Sequence, residues 1–308
     1  MDIALSGSTG FIGNNLKDSL KDNSNINLIE INRRPSEISN NNFSYEDFFS
    51  EKFNINIDIF IHLGGPNYDY ANDDSIEIGI VGLTEKILLK LNSYNCKNFI
   101  YFSSCKIYGE SSINEYIYNE KYSPKPISEY AHAKLKAEKV ISSLSIKNEY
   151  NYLIYRLPFV FGPGMKSNLG SIMKVLDKSL PIMVPRSKTP LKKSFLSINN
   201  IIKVIKLNIQ DHATINNQIF NLTDTSPISL NEFISIYKLK TNSKSLIISI
   251  PAFLFRFFLL IPFLNKFLIK VFGSFHVDNH KIIEMLDIDF KSTIDSIENL
   301  VKSNYKNE

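Results

Sequence analysis

Short apolar runs alternate with amphipathic stretches through the first half of the chain. IALS at 3–6 reads as a strand, followed by a glycine-rich loop and a helix from Phe11 to about Lys21. INLIEI at 26–31, DIFIHL at 58–63, NFIYFSS at 98–104 and YNYLIYRL at 150–157 continue the strand rhythm. Helical spacing fills the intervals from about Ser75 to Asn92 and from Tyr130 to Leu144. Strands alternating with helices predict parallel βαβ units, hence an α/β fold with a doubly wound parallel sheet of the Rossmann kind.

The rhythm changes after GPGM at 162–165. A helix near 168–178 precedes PIMVP, then KKSFLSINNIIKVI and a strand-like QIFNLTD at 218–224, and the remainder reads as mainly helical. The expected organisation is a first domain over 1–165, with 192–224 returning to it. A smaller, mainly helical C-terminal lobe over 166–191 and 225–308 would bind substrate. No internal repeat or low-complexity linker separates them, so the lobe is expected to be built onto the first domain.

Composition narrows the class. With 44% hydrophobic and 21% charged residues in 308, the chain can bury a substantial core. Its net charge of +4 is spread out, which argues against nucleic acid as a partner. Cys96 and Cys105 are the only cysteines, so no disulfide framework is expected. MDIALSGSTG lacks the basic and apolar regions of a signal peptide, and a cytoplasmic location is expected. The apolar segment 250–272 is broken by Arg256, Lys266, Lys270, Pro251 and Pro262. Its nine uncharged residues between Arg256 and Lys266 fall short of the ~20 that span a bilayer, so no membrane span is expected. No metal-ligand spacing is present.

SGSTGFIG places Gly7, Gly10 and Gly13 between the first strand and the first helix. Glycine there lets the backbone approach a pyrophosphate, and the helix N-terminus offers free N–H groups to it. The second strand ends in Asn32, Arg33 and Arg34, while Glu30 inside it is expected to point away. Arginine without a terminal acid favours a 2′-phosphate, hence NADP over NAD, although both arginines also read as solvated loop charges. NFIYFSS delivers Ser103 and Ser104 at its C-terminal end, where ligands of open α/β sheets bind. YAHAK puts Tyr130 and Lys134 one helical turn apart. Taken alone, that spacing does not separate a catalytic pair from an ordinary amphipathic helix.

The glycine loop, Ser104 and YAHAK in this order resemble the extended short-chain dehydrogenase/reductase family of NAD(P)-dependent nucleotide-sugar epimerases, dehydratases and reductases. The resemblance implies that Tyr130 exchanges a proton with the sugar, Ser104 holds the reacting oxygen, and Lys134 supports both tyrosine and cofactor. It extends the cofactor set, with Gly7, Gly10, Gly13, Asn32, Arg33, Tyr130 and Lys134, to Thr9, Phe11, Ile12, Leu63, Gly64 and Pro158. A neighbouring ammonium and a cationic nicotinamide would both favour phenolate over the ordinary tyrosine value near ~10.

Departures from the family pattern are Ala131 and Ala133 in YAHAK, HLGG at 62–65, and Gly79 in place of an asparagine. Cys105-Lys106 replaces the Asp-Glu of dehydratases and disfavours water elimination. SSCKIYGES, FGPGMKSN and FGSFHVDNHKI resemble bacterial UDP-sugar 4-keto reductases of the UDP-N-acetylquinovosamine type. Asn168, Lys106, Lys193 and Ser104 are then the substrate residues, with Lys192-Lys193 in place of an arginine pair; Asn168 also reads as a helix N-cap, and the lysines as a solvated pair. The expected function is reduction of a UDP-4-keto-6-deoxy-hexose or hexosamine for polysaccharide or O-antigen synthesis. The rivals are a UDP-hexose 4-epimerase and a non-catalytic NAD(P)-sensing protein. Relatives' habits imply a homodimer through the YAHAK helix.

Overall fold

The computed structural model describes residues 1–35, 41–65, 73–94, 96–114, 116–165, 167–186, 191–211, 217–251 and 260–304. Two compact units emerge: Met1–Gly109, Ser123–Leu157 and Ile202–Phe220 form unit 1, and Glu110–Tyr122, Pro158–Ile201 and Asn221–Glu308 form unit 2.

Unit 1 is built on a seven-stranded sheet. Its first strands in chain order are β1 (Asp2–Ser6), β2 (Asn27–Asn32), β3 (Asn42–Ser44), β4 (Ile59–His62) and β5 (Asn98–Ser104). After the two-residue β6 (Ile117–Tyr118) of unit 2 comes β7 (Asn151–Leu157). The order runs Gln218–Asn221, β7, β5, β4, β1, β2, β3. All pairs from β3 across to β7 are parallel. The chain winds outward in both directions from the β1–β4 junction, the doubly wound arrangement expected from the sequence.

Covered on both faces, these strands read as continuous apolar runs. On one face Ile31, Phe60, Phe99 and Tyr101 pack with Leu88, Ala133 and Ile141 of the covering helices. α2 (Tyr45–Phe49), α3 (Asp73–Glu77), α4 (Leu83–Asn92) and α5 (Glu129–Asn148) contribute to that cluster, α4 and α5 supplying the residues just named, while α1 (Phe11–Leu20) buries Leu16 and Leu20 apart from it. Strand periodicity places Ser103 of β5 on the same side as Phe99 and Tyr101, facing α5. The expected helix from Ser75 to Asn92 is interrupted by a π-helical turn, Ile78–Gly82, which contains the departing Gly79. β3 and α2 were absent from the sequence reading. Three-residue strands carry no legible period, though the Ser44–Asp47 capping box fixes the start of α2.

Unit 2 is mainly helical, as expected, and also holds short strand pairs. Phe159–Phe161 pairs with Phe195–Ser197, Ile182–Pro185 with Ile247–Ile250, Lys192–Lys193 with Ile228–Ser229, and β6 with His276–Val277. The Phe159–Phe161 pairing keeps 158–165 in unit 2 instead of the first domain, and only 202–220 returns to unit 1. Helices Asn168–Asp177, Leu230–Lys240 and Thr293–Asn304 complete its framework. Of the apolar segment 250–272, residues 252–259 lie outside the described residues and Pro262–Phe272 forms a helix. Among the described residues, no helix is long and apolar enough to cross a membrane.

Asp224 ties unit 2 together. It is 3% exposed, and its Oδ1 accepts from the Ser197 backbone N–H at 2.8 Å and from Asn200 Nδ2 at 2.7 Å. Burial outweighs these bonds and pushes its carboxyl from the ordinary 3.8 up to about 7. A raised carboxyl value means the folded state resists ionisation, so this group's contribution is largest in acid and declines as pH rises from about 4 to 7. Asp224→Asn keeps an acceptor at Oδ1 and removes the charge. Relative to wild type, the variant should gain on the order of 2–3 kcal/mol across that interval, read by urea unfolding at several pH values. A constant difference at all pH values would contradict the assignment.

Candidate functional site

The β1–β4 junction is where the two halves of the winding diverge, and the loops leaving both strands meet there. Gly7 has φ +78°, and a Cβ on it would lie 3.0 Å from the Gly64 backbone nitrogen. A Cβ on Gly13 would fall 2.1 Å from the Gly7 carbonyl oxygen. Neither position has room for a side chain. Gly10 is the N-cap of α1 and no side chain caps that helix, so the first-turn N–H groups of Phe11 and Ile12 face outward from its end. Thr9 and Gly10 are exposed, Gly13 and Gly64 buried, and Leu63 intermediate. This cradle of bare backbone and helix N-terminus fits the pyrophosphate of a dinucleotide.

The residues under the cradle differ from the sequence reading. Glu30 does not point away: its Oε2 accepts from Ser8 Oγ at 2.5 Å and pairs with Lys17 at 3.5 Å. Asn32 is 1% exposed, donating to Ser8 Oγ at 2.8 Å and accepting from the Thr9 N–H at 3.4 Å. It buttresses the loop from below, leaving Arg33 and Arg34 as the exposed residues at the end of β2. On the β4 side, His62 is sealed from water with Nδ1 against Ser6 Oγ at 2.6 Å, and burial drives its imidazole down to about 3, so it is neutral.

Ser104 closes β5 and starts a short 3-10 turn, Cys105–Tyr108, its Oγ accepting from the Lys106 N–H at 3.3 Å. Opposite it, Ser128 caps α5 through the Ala131 N–H at 3.4 Å and sets the register of the helix. Tyr130 then reaches Ser104, whose hydroxyl is near enough to pull the phenol's value down. Lys134, one turn on, is 6% exposed and donates to the Phe102 carbonyl oxygen at 2.8 Å. Its Nζ lies 4.6 Å from the Tyr101 ring centre and 5.9 Å from that of Tyr130. The structure thus brings Ser104, Tyr130 and Lys134 together.

Their protonation differs from the expectation of a lowered phenol. Burial pushes Tyr130 up to about 12, the Ser104 hydroxyl opposing it, and burial drops Lys134 to about 8, with the Glu138 carboxylate opposing. The polypeptide alone therefore holds a neutral phenol, ready to donate a proton. Ala131 and Ala133, at 0% and 3% exposure, pack where a larger side chain could not be accommodated without movement.

In unit 2, Asn168 is exposed at the first position of its helix, and the N-cap is Ser167, which accepts from the Gly170 N–H at 3.3 Å. Lys193, expected to meet a pyrophosphate, is 3% exposed instead. Its Nζ donates to Ser111 Oγ and the Lys270 carbonyl, each at 2.9 Å, and lies 4.8 Å from the Phe159 ring centre. Burial lowers it to about 7. The exposed member of the pair is Lys192. Pro158, at the start of the unit's second segment, is partly buried. Among the described residues, no His, Cys, Asp and Glu cluster could hold a metal.

Sequence reasoning missed Glu138 and Arg156. Each is at most 5% exposed, and they join through Arg156 Nη2 to Glu138 Oε2 at 2.6 Å and Nε to Oε1 at 3.1 Å. The available signal was the four-residue spacing Tyr130, Lys134, Glu138, an acid on a face that must be buried.

The model of the NAD dependent epimerase/dehydratase family matches residues 3–223. UDP-glucose 4-epimerase of Vibrio cholerae is 26% identical over 268 residues, covering 83% of this chain and 80% of that protein. UDP-glucose 4-epimerase of Thermotoga maritima, solved with UDP-glucose, superposes with a TM-score of 0.77 at 18% identity, covering 100% of this chain and 99% of its own. The protein RMD of Pseudomonas aeruginosa, solved with NADPH, gives 0.77 at 16% identity over 99% and 100% of the two chains.

The cradle explains one departure. A Cβ on Gly64 would lie 2.2 Å from the Tyr45 hydroxyl of α2, so a bulky phenol and a bare backbone are matched. Gly64→Ala should lower stability by about 1–3 kcal/mol through overpacking. Adding Tyr45→Phe should recover most of the loss, as measured by thermal unfolding of the cycle. Additive losses would refute the pairing.

Proposed function

The chain belongs to the NAD dependent epimerase/dehydratase family, and from that premise we propose that it reduces the 4-keto group of a UDP-4-keto-6-deoxy-hexose or hexosamine. The observation that carries this reading is the Ser104–Tyr130 hydroxyl pair with its phenol held neutral beside a buried ammonium. The cradle of Gly7, Gly10 and Gly13 would hold a nicotinamide dinucleotide, which would supply the hydride for the sugar carbon. Tyr130 gives its proton to the carbonyl oxygen as charge develops there. Ser104 donates a hydrogen bond to the same oxygen and holds it at the phenol. Lys134, fixed by the Phe102 carbonyl, supplies positive charge that stabilises Tyr130 once its proton has left.

Cofactor choice follows from the end of β2. Glu30 is engaged with Ser8 and Lys17 beneath the loop, and Arg33 and Arg34 stand exposed, which favours a 2′-phosphate and hence NADPH. The proposal includes a UDP moiety, for which Lys106, Lys192 and Asn168 are the exposed or partly exposed polar candidates. A homodimer through α5, a cytoplasmic location and a role in surface-polysaccharide assembly complete it.

A second reading is favoured by the Vibrio cholerae relative: a UDP-hexose 4-epimerase, in which the same residues first oxidise and then reduce C4. Incubation with a UDP-4-keto-6-deoxy sugar and NADPH separates them. Stoichiometric loss of the reduced-cofactor absorbance supports reduction; interconversion of UDP-hexoses without net cofactor use replaces that reading with epimerisation. Tyr130→Phe should lower kcat on the order of 10²–10⁴-fold with the fold intact. Arg33→Ala combined with Arg34→Ala should weaken kcat/KM for NADPH about tenfold or more while leaving NADH within about threefold. Equal losses for both cofactors would remove the preference.

A further inference from the structure

Resting on the function proposed above, we infer that Glu138 and Arg156 form a positioning pair that holds Ser104 against Tyr130. The pair's contacts are concentrated on the chain flanking Ser104. Ser103, the preceding residue, donates through Oγ to Glu138 Oε1 at 2.5 Å. Cys105, the following residue, donates through Sγ to the Arg156 carbonyl oxygen at 3.2 Å. Tyr108, which ends the 3-10 turn after Ser104, accepts from Arg156 Nη1 at 2.8 Å, with the guanidinium 5.2 Å from its ring centre. Glu138 in turn stands on α5 two turns beyond Tyr130, on the same face.

The guanidinium thus fastens the strand end and its turn to the helix that carries the phenol. An ion pair sealed this deeply is not required for stability, since apolar residues of similar volume fill such space equally well or better. What charge and fork geometry add is direction: the two oxygens and the three guanidinium nitrogens fix Ser103 and Tyr108 in register with α5. Ser104 lies between those two anchors, so its Oγ is placed relative to Tyr130 by contacts it does not itself make. Glu138 and Arg156 touch neither hydroxyl and act through Ser104.

The test combines a spectroscopic and a kinetic cycle on the full chain. With 13Cζ-labelled tyrosine, and Tyr130 assigned by Tyr130→Phe, Ser104→Ala and Glu138→Gln should shift the Tyr130 resonance in the same direction. The double variant should add nothing further. In turnover, Glu138→Gln should lower kcat on the order of 10- to 100-fold with KM and cofactor Kd within about twofold, as expected for a displaced reacting group. In the Ser104→Ala background the same change should cost less than about threefold. Should Glu138→Gln fail to fold, Ser103→Ala removes one anchor, leaves the ion pair, and should show the same non-additivity with a smaller loss. A resonance unmoved by either single variant, kcat losses that multiply, or a raised KM with kcat unchanged would overturn the positioning role. Wild-type protein inactive on every UDP-sugar would overturn the proposed function alone, because the resonance still reports on the Ser104–Tyr130 contact.

Discussion

A phenol, an ammonium and a carboxylate recur every fourth residue on one face of α5, and burying that face is the constraint on which unit 1 turns. An ion left unpaired at this depth would cost several kcal/mol, so each must meet a partner from the sheet. The partners come from the C-terminal ends of β5 and β7. The pairing of β4 with β5 ends at His62 opposite Tyr101, and at the next residue of β5 the Phe102 carbonyl takes the Lys134 ammonium. β7 runs on alongside β5 to Leu157, and its Arg156 meets Glu138. The stagger of strand ends thereby decides which polar groups α5 can bury, and the buried groups decide where Tyr130 emerges.

The second constraint is steric and acts at the other side of the same junction. Gly7 and Gly64 bring two loops into backbone contact, and Gly13 packs onto Gly7 from the helix. A pyrophosphate needs such bare backbone, because its oxygens must reach amide hydrogens that any side chain would shield. Below the loop, Ser8, Glu30 and Asn32 form a hydrogen-bonded floor with Lys17 beside it. That floor consumes the acid nearest the end of β2, so the arginines beyond it remain the exposed charges there. Cofactor preference in this reading depends on where a buried carboxylate is spent as much as on which residues are exposed.

The sheet was legible because its strands are buried on both faces and five to seven residues long where it matters most, as in β1, β5 and β7. α5 was legible because helical spacing runs from Tyr130 to Leu144, within the observed Glu129–Asn148. β3 and the short pairs of unit 2 were not, since two or three residues carry no periodicity and their partners lie far away in sequence. The grouping of Ser104, Tyr130 and Lys134 was readable from spacing joined to order along the chain. The fate of Lys193 was not: a lysine beside another lysine looks solvated, and only the tertiary placement of Ser111, Lys270 and Phe159 reveals a buried ammonium. Glu30 misled for the same reason, its partner Ser8 sitting in a loop whose path a sequence does not specify.

Burial moves Tyr130 and Lys134 in opposite senses, and in the proposed function this bears on the direction of the chemistry. Tyr130 rises to about 12 while Lys134 falls to about 8, so the ammonium gives up its proton before the phenol does. Near neutrality the pair rests as phenol and ammonium. In the proposed function, reduction of a carbonyl begins from that state, because the proton to be delivered is already on Tyr130 and the Ser104 hydroxyl is close to it. Oxidation of a sugar alcohol begins from phenolate, which this environment disfavours until further positive charge is supplied next to it. Lys134 cannot supply that alone, since its ammonium is turned to the Phe102 carbonyl and lies 5.9 Å from the Tyr130 ring centre. A cationic nicotinamide, held on the glycine cradle, would add that charge besides accepting the hydride, whereas the proton for the opposite direction is already held by Tyr130.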